Sequence, residues 1–271
     1  MTKGSLLSPV ICGITIIIVC ALVMMVSFIT PIHLPGALAQ VSTSQQQLQQ
    51  RPNINATSLF DNGQMILPAN AKHLVILIPD EGHHGPGEED EARFIAQPFV
   101  PQSAIVSPGT EVVWFSGDVG HEHNIVVRNG DATGTQVFET GEFAELAASR
   151  PITFNSSGNF EYADTVEYEG GFVMTGNVTV VNQNSGSTGS SGGSFDTVGA
   201  LMVPSMMIES VTGEMRNMGF GIDSMHTFTD LRGGQEDTGD EQVLVLWTTT
   251  GKSIDEITSQ LGGISEGLPY E

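Results

Sequence analysis

The chain has 271 residues, of which 39% are hydrophobic, so it can bury a core and is not wholly disordered. Nine Lys and Arg against 31 Asp and Glu give a formal net charge of −22. That balance excludes nucleic acid as a partner, which needs clustered cations, and suits a cation or a partner with a basic face. The two cysteines, Cys12 and Cys20, both lie in the N-terminal apolar run, so whatever follows has no disulfide and no thiolate.

Lys3 precedes an apolar stretch from Leu6 to Thr30, longer than the ~7–15 residues of an ordinary signal core and long enough to span a bilayer. Ala37-Leu38-Ala39 suits signal-peptidase cleavage. Residues 1–39 are therefore a signal peptide or an N-terminal membrane anchor. Both place the bulk of the acidic chain outside the cell, secreted or held at the surface. Residues 40–54 form a Gln-rich stalk. Residues 182–194, beginning NQNSGSTG, form a Gly/Ser linker. The two segments bracket a body over 55–181 and leave a small C-terminal domain over 195–271.

The body reads as mainly β. KHLVILIP (72–79), FIAQPFVPQSAIV, EVVWFS, HNIVVRN, ITFN, NFEYA and GNVTVV are short strand-like runs. Pro108-Gly109, Asn129-Gly130 and Ser157-Gly158 mark turns between them. This spacing predicts a sandwich or barrel. Pro98 and Pro101 within one run predict an edge strand or a bulge. EFAELAAS (142–149) alone has helical propensity here.

In the tail, TVGALMV is strand-like. Met207, Ile208, Val211, Met215 and Met218 then share one helical face and read as core filler. GIDSMHTF and QVLVLWTTT read as strands around an acidic loop, GGQEDTGD. Ser253-x-x-Glu256 is a capping box that opens a last helix. The order βαββα predicts a small α+β domain. His226, on a predicted strand, reads as structural.

Phe99-Val100-Pro101, Ser107-Pro108-Gly109-Thr110, Val112-Val113-Trp114, Asp118 and His123-Asn124-Ile125-Val126 together resemble the cupredoxin family, its plastocyanin-like branch in particular. Gly158-Asn159-Phe160-Glu161-Tyr162 resembles the strand entering that family's copper loop, and Met174-Thr175-Gly176-Asn177-Val178-Thr179-Val180 the exit from it. The resemblance covers roughly residues 72–181 and implies a Greek-key β-sandwich with a metal site at one end.

Carried over residue by residue, the family's first histidine falls on His123 or His121 and its axial methionine on Met174. The thiolate position falls on Asp164 and the second histidine on Glu167, so two of the four ligands are replaced. A blue-copper site depends on a copper–thiolate bond, whereas carboxylate oxygen is a harder donor that suits Cu(II) or zinc. His83-His84, in DEGHHGPGEEDE, adds two imidazoles in a loop that the resemblance implies lies at the same end. His121 and His123 alternate and would share a face if extended. The candidate metal ligands are thus His83, His84, His121, His123, Asp164, Glu167 and Met174, with copper as Cu(II) ahead of zinc.

The expected function is copper handling, with electron transfer to a redox partner behind it. The alternative is a metal-free extracellular module that binds another envelope protein. No nucleophile elbow, H-E-x-x-H or phosphate loop points to an enzyme, and no catalytic residue is assigned. Asn55-Ala-Thr, Asn155-Ser-Ser and Asn177-Val-Thr are N-glycosylation sequons.

Overall fold

A computed structural model describes residues 63–80, 97–166, 173–182, 195–229 and 241–268. All belong to one compact unit, 46–271. The proposed signal or anchor, the stalk and the Gly/Ser linker lie outside the described residues, as do the acidic loop of the tail, His83, His84 and Glu167. No helix among the described residues is long and apolar enough to cross a membrane.

The described chain forms two mixed six-stranded sheets, the β-sandwich that the spacing of short strands predicts. The first sheet has the order β1 (Gln64–Ile66), β3 (Ser103–Val106), β9 (Thr175–Val180), β8 (Gly158–Asp164), β5 (Ile125–Asn129) and β6 (Gln136–Glu139). The second has the order β11 (Gly221–Thr229), β12 (Glu241–Thr249), β10 (Thr197–Pro204), β2 (His73–Ile78), β4 (Thr110–Ser116) and β7 (Ile152–Phe154). Aromatic rings join the layers. Trp114 of the second sheet meets Tyr162 of the first edge-on at 5.1 Å, and Phe154 meets Phe160 at 4.8 Å. Phe99 packs edge-on against the other side of Tyr162 at 5.0 Å.

Gly176 makes the Tyr162 position possible. A Cβ there would stand 2.3 Å from the phenol oxygen and 2.6 Å from the Gln102 carbonyl. The phenol donates to the Pro101 and Gln102 carbonyls and is almost wholly buried. Burial holds its acidity far above the ordinary tyrosine range. The folded state therefore keeps this proton after the unfolded chain loses it near pH 10, and Tyr162 lowers stability as pH rises beyond that point. An alkaline titration followed at 295 nm should show one of the three tyrosines ionising only with unfolding, and Tyr162→Phe should remove that late step.

The tail corrects the expected domain boundary. Its elements come in the predicted order: β10, a 3-10 turn (Ser205–Met207), α1 (Ile208–Asn217), β11, β12 and α2 (Ile254–Ser265). They are not a separate domain. β10 pairs in parallel with β2, Thr197 opposite His73 and Val198 opposite Leu74, so the tail extends the second sheet of the body. Lys72 and His73 both donate their backbone N–H to the Asp196 carbonyl, and the Asn70 amide donates to that of Phe195.

One apolar core runs from Met65 to Leu268. In β2, Leu74 to Ile78 are buried on both faces, which explains why that strand reads as a continuous apolar run. Ile257, Leu261 and Ile264 of α2 and Val211 and Met215 of α1 join the same core. The predicted methionine face of α1 is thus core filler, with Met207, Ile208 and Met218 packed against it. The Ser253 hydroxyl caps α2 by accepting from the Glu256 N–H at 3.2 Å.

Two further expectations fail locally. Among the described residues of the run 94–106, which are 97–106, a strand forms only over Ser103–Val106. Ahead of it Val100 makes an isolated antiparallel bridge to Leu77, next to Pro101, which cannot donate. EFAELAAS forms no helix. Phe143 bridges His123, Ala148 bridges Phe115, and Leu146 takes a positive φ of 51°. The backbone groups that would close helical turns instead serve neighbouring chain: Ser116 donates to Ala147 and Ser149 to Trp114.

Candidate metal centre

Three pieces of chain distant in sequence meet at one end of the sandwich. The loop after β4 brings Asp118, His121 and His123. The end of β8 brings Asp164, which pairs across with Ile125 of β5. The residue before β9 is Met174, whose carbonyl accepts the Asp164 N–H at 3.1 Å. Asp118, His123 and Met174 are fully buried, and Asp164 is nearly so.

Buried charges need partners, and these have them. His123 Nδ1 donates to Asp164 Oδ2 at 2.7 Å. The other carboxylate oxygen of Asp164 accepts the backbone N–H of Asn124 at 3.1 Å and of Val166 at 3.0 Å. On the opposite edge of the imidazole, Nε2 lies 3.7 Å from Asp118 Oδ2, an ion-pair distance rather than a hydrogen bond. Asp118 Oδ1 in turn lies 3.1 Å from His121 Nδ1. His121 reaches the surface with 42% of its side chain exposed. The four side chains form a chain from solvent to core, His121–Asp118–His123–Asp164.

The loop between β6 and β7 covers this end. Phe143 and His123 exchange two backbone hydrogen bonds of 3.0 Å, and their rings lie 5.6 Å apart. The Glu145 carboxylate accepts the Gly120 N–H. Behind the loop stands α2, where a Cβ on Gly262 would lie 3.2 Å from the Leu146 carbonyl. The C-terminal helix therefore backs the loop that closes the site.

Of the sequence-derived ligand candidates, His121, His123, Asp164 and Met174 are brought to this end. His83, His84 and Glu167 lie outside the described residues. Asp118 was absent from the candidate set. Its signal was a carboxylate placed just past VVWFS, a strand with no exposed residue, where only a paired charge can be tolerated.

No protein-family model and no curated protein matches the chain. Solved structures similar to it include three cupredoxins. One is rusticyanin from Thiobacillus ferrooxidans, at 13% identity over 53% of this chain and 95% of that one, with a TM-score of 0.33. Another is a purple cupredoxin from Nitrosopumilus maritimus, at 21% identity over 40% of this chain and 99% of that one, with a TM-score of 0.29. The third is auracyanin from Roseiflexus castenholzii, at 18% identity over 41% and 98%, with a TM-score of 0.28.

Donor chemistry decides which metal these residues fit. A blue-copper centre does not fit, because residues 40–271 hold no cysteine. Nor can one ion touch both carboxylates together with the imidazole, since Asp164 and Asp118 stand on opposite edges of the ring. Among the described residues no three His, Cys, Asp or Glu side chains are arranged to hold a metal ion. The donors that do face one another are His123 Nδ1 and Asp164 Oδ2, 2.7 Å apart. Nitrogen with carboxylate oxygen suits Cu(II) or zinc.

Proposed function

We propose that the protein is an exported, cell-surface binder of a divalent transition-metal ion, Cu(II) ahead of zinc, built on a cupredoxin-like sandwich. The carrying observation is the buried His123–Asp164 pair, 2.7 Å apart where β5, β8 and the start of β9 converge. His123 Nδ1 and Asp164 Oδ2 would hold the ion, and Met174, buried just before β9, is the nearby thioether. Asp118 fixes the imidazole from its far edge, and His121 stands at the surface end of the chain. Glu167 follows Asp164 closely enough in sequence to add a further oxygen. A bound Cu(II) would supply an oxidising centre, but hard donors favour its upper oxidation state, so storage or delivery fits better than electron shuttling.

Equilibrium dialysis with Cu(II), read by elemental analysis, tests this. One equivalent is expected per chain, without intense visible colour. His123→Ala should abolish the tight site. Asp118→Asn should weaken it about 10–100-fold, as loss of an orienting partner does. Stoichiometric binding that ignores both substitutions, or no binding at all, defeats the proposal.

One observation favours a second reading. Both oxygens of Asp164 already accept hydrogen bonds, one from His123 and one from two backbone N–H groups, so the network closes without an ion. The protein is then a metal-free module that presents its acidic surface to another envelope protein. Under that reading the wild type and His123→Ala take up equally little copper.

A further inference from the structure

The sequons offer a modification site that the cation reading does not use. Asn55 lies outside the described residues; Asn155 and Asn177 are both exposed, but one stands in a turn and the other within a strand. Asn177 lies inside β9, with Ser103 of β3 on one side and Glu161 of β8 on the other. Its N–H donates to the Gln102 carbonyl at 2.9 Å, and its side-chain oxygen accepts from the Ser103 hydroxyl at 2.8 Å. In an extended strand the Asn and the hydroxyl two residues on stand about 7 Å apart, held by the ladder.

Asn155 occupies the turn that carries the chain from β7 in the second sheet to β8 in the first. Asn155, Ser156 and Ser157 are all exposed, and the chain bends at Ser156. The turn is pinned from below, not through its own side chains: Phe154 is buried against Phe160 at 4.8 Å, and its carbonyl accepts the Gly109 N–H at 2.7 Å. A large group on the Asn155 amide would meet no packed neighbour and break no ladder. The turn also precedes β8, whereas Asp164 ends it, so roughly 20 Å of strand, at ~3.3 Å per residue, separate it from the candidate metal centre.

We infer that Asn155 is an N-glycosylation site and that Asn177 is not. The co-substrate is a lipid-linked oligosaccharide. The Asn155 side-chain nitrogen forms a bond to the anomeric carbon of the sugar, the bond from that carbon to the lipid phosphate oxygen breaks, and the lipid phosphate leaves. One amide proton is lost, and nothing is oxidised or reduced. The inference rests on the export included in the proposed function and is independent of the metal.

Peptide mass mapping of the native full-length protein, with cell fractionation alongside, tests it. The Asn155 peptide should carry a glycan mass and the Asn177 peptide none. Asn155→Gln and Ser157→Ala, made in the producing cells, should each remove that whole increment without moving the melting temperature, and Asn177→Gln should leave it in place. A bare Asn155 on a chain recovered outside the cell overturns the inference while leaving export intact. A bare Asn155 on a chain retained inside overturns both. A glycan on Asn177 overturns the distinction drawn here.

Discussion

Ending the chain at residue 182 is expected to leave the body unable to fold as a soluble monomer. β2 would lose its parallel partner β10, which pairs with His73 and Leu74, and that end of an apolar strand would become an open edge, an aggregation template. The core would lose Val198, Leu201, Val203, Leu244, Val245, Leu246 and Trp247, each at most 1% exposed. Burial of one such side chain contributes about 1.5–3 kcal/mol, while a whole domain is stable by only about 5–15 kcal/mol. Losing several of them therefore exhausts the margin. The loop over His123 would also lose α2 behind it, so any residual fold should bind no cation tightly. Size-exclusion chromatography and an amide NMR spectrum of the fragment provide the check. A monomer with dispersed amide signals would restore two independent domains.

Asp164→Ala should destabilise the cation-free protein by about 1.5–3 kcal/mol, the usual worth of hydrogen bonds to a charged group. The substitution strands a fully buried imidazole and takes the acceptor from the N–H groups of Asn124 and Val166. Asp164→Asn keeps a carbonyl acceptor and should cost less. Glu142→Gln, exposed on the covering loop, should stay within about 0.5 kcal/mol. Urea unfolding in the presence of a chelator measures all three. A loss below 1 kcal/mol for Asp164→Ala would mean that the carboxylate is not held in this network.

Most strands were legible because burial writes itself into the run. HLVILI and TVGALMV are apolar without alternation, since both faces of β2 and much of β10 are covered. β6, QVFE, was illegible because it is an exposed edge with no buried residue. β1 is three residues long and too short to show a period. EFAELAAS misled because its propensity is local, while its backbone is claimed by β4 and by His123. The motifs around His123 and Asp164 singled out both residues, and the structure brings the two together. Asp118 stood in the motif but not as part of the site, because its signal, a carboxylate just past an apolar strand, does not tell which loop will bury it.

By itself the sequence determined the strand-rich class and the absence of a thiolate after residue 39. These are matters of composition and local pattern, which no folding can alter. Only the tertiary structure decided that the tail completes the second sheet and that Asp118 and Asp164 take opposite edges of one imidazole. A Gly/Ser linker sets how freely two segments move but not where their strands pair, and a charge is buried or solvated only by what packs over it.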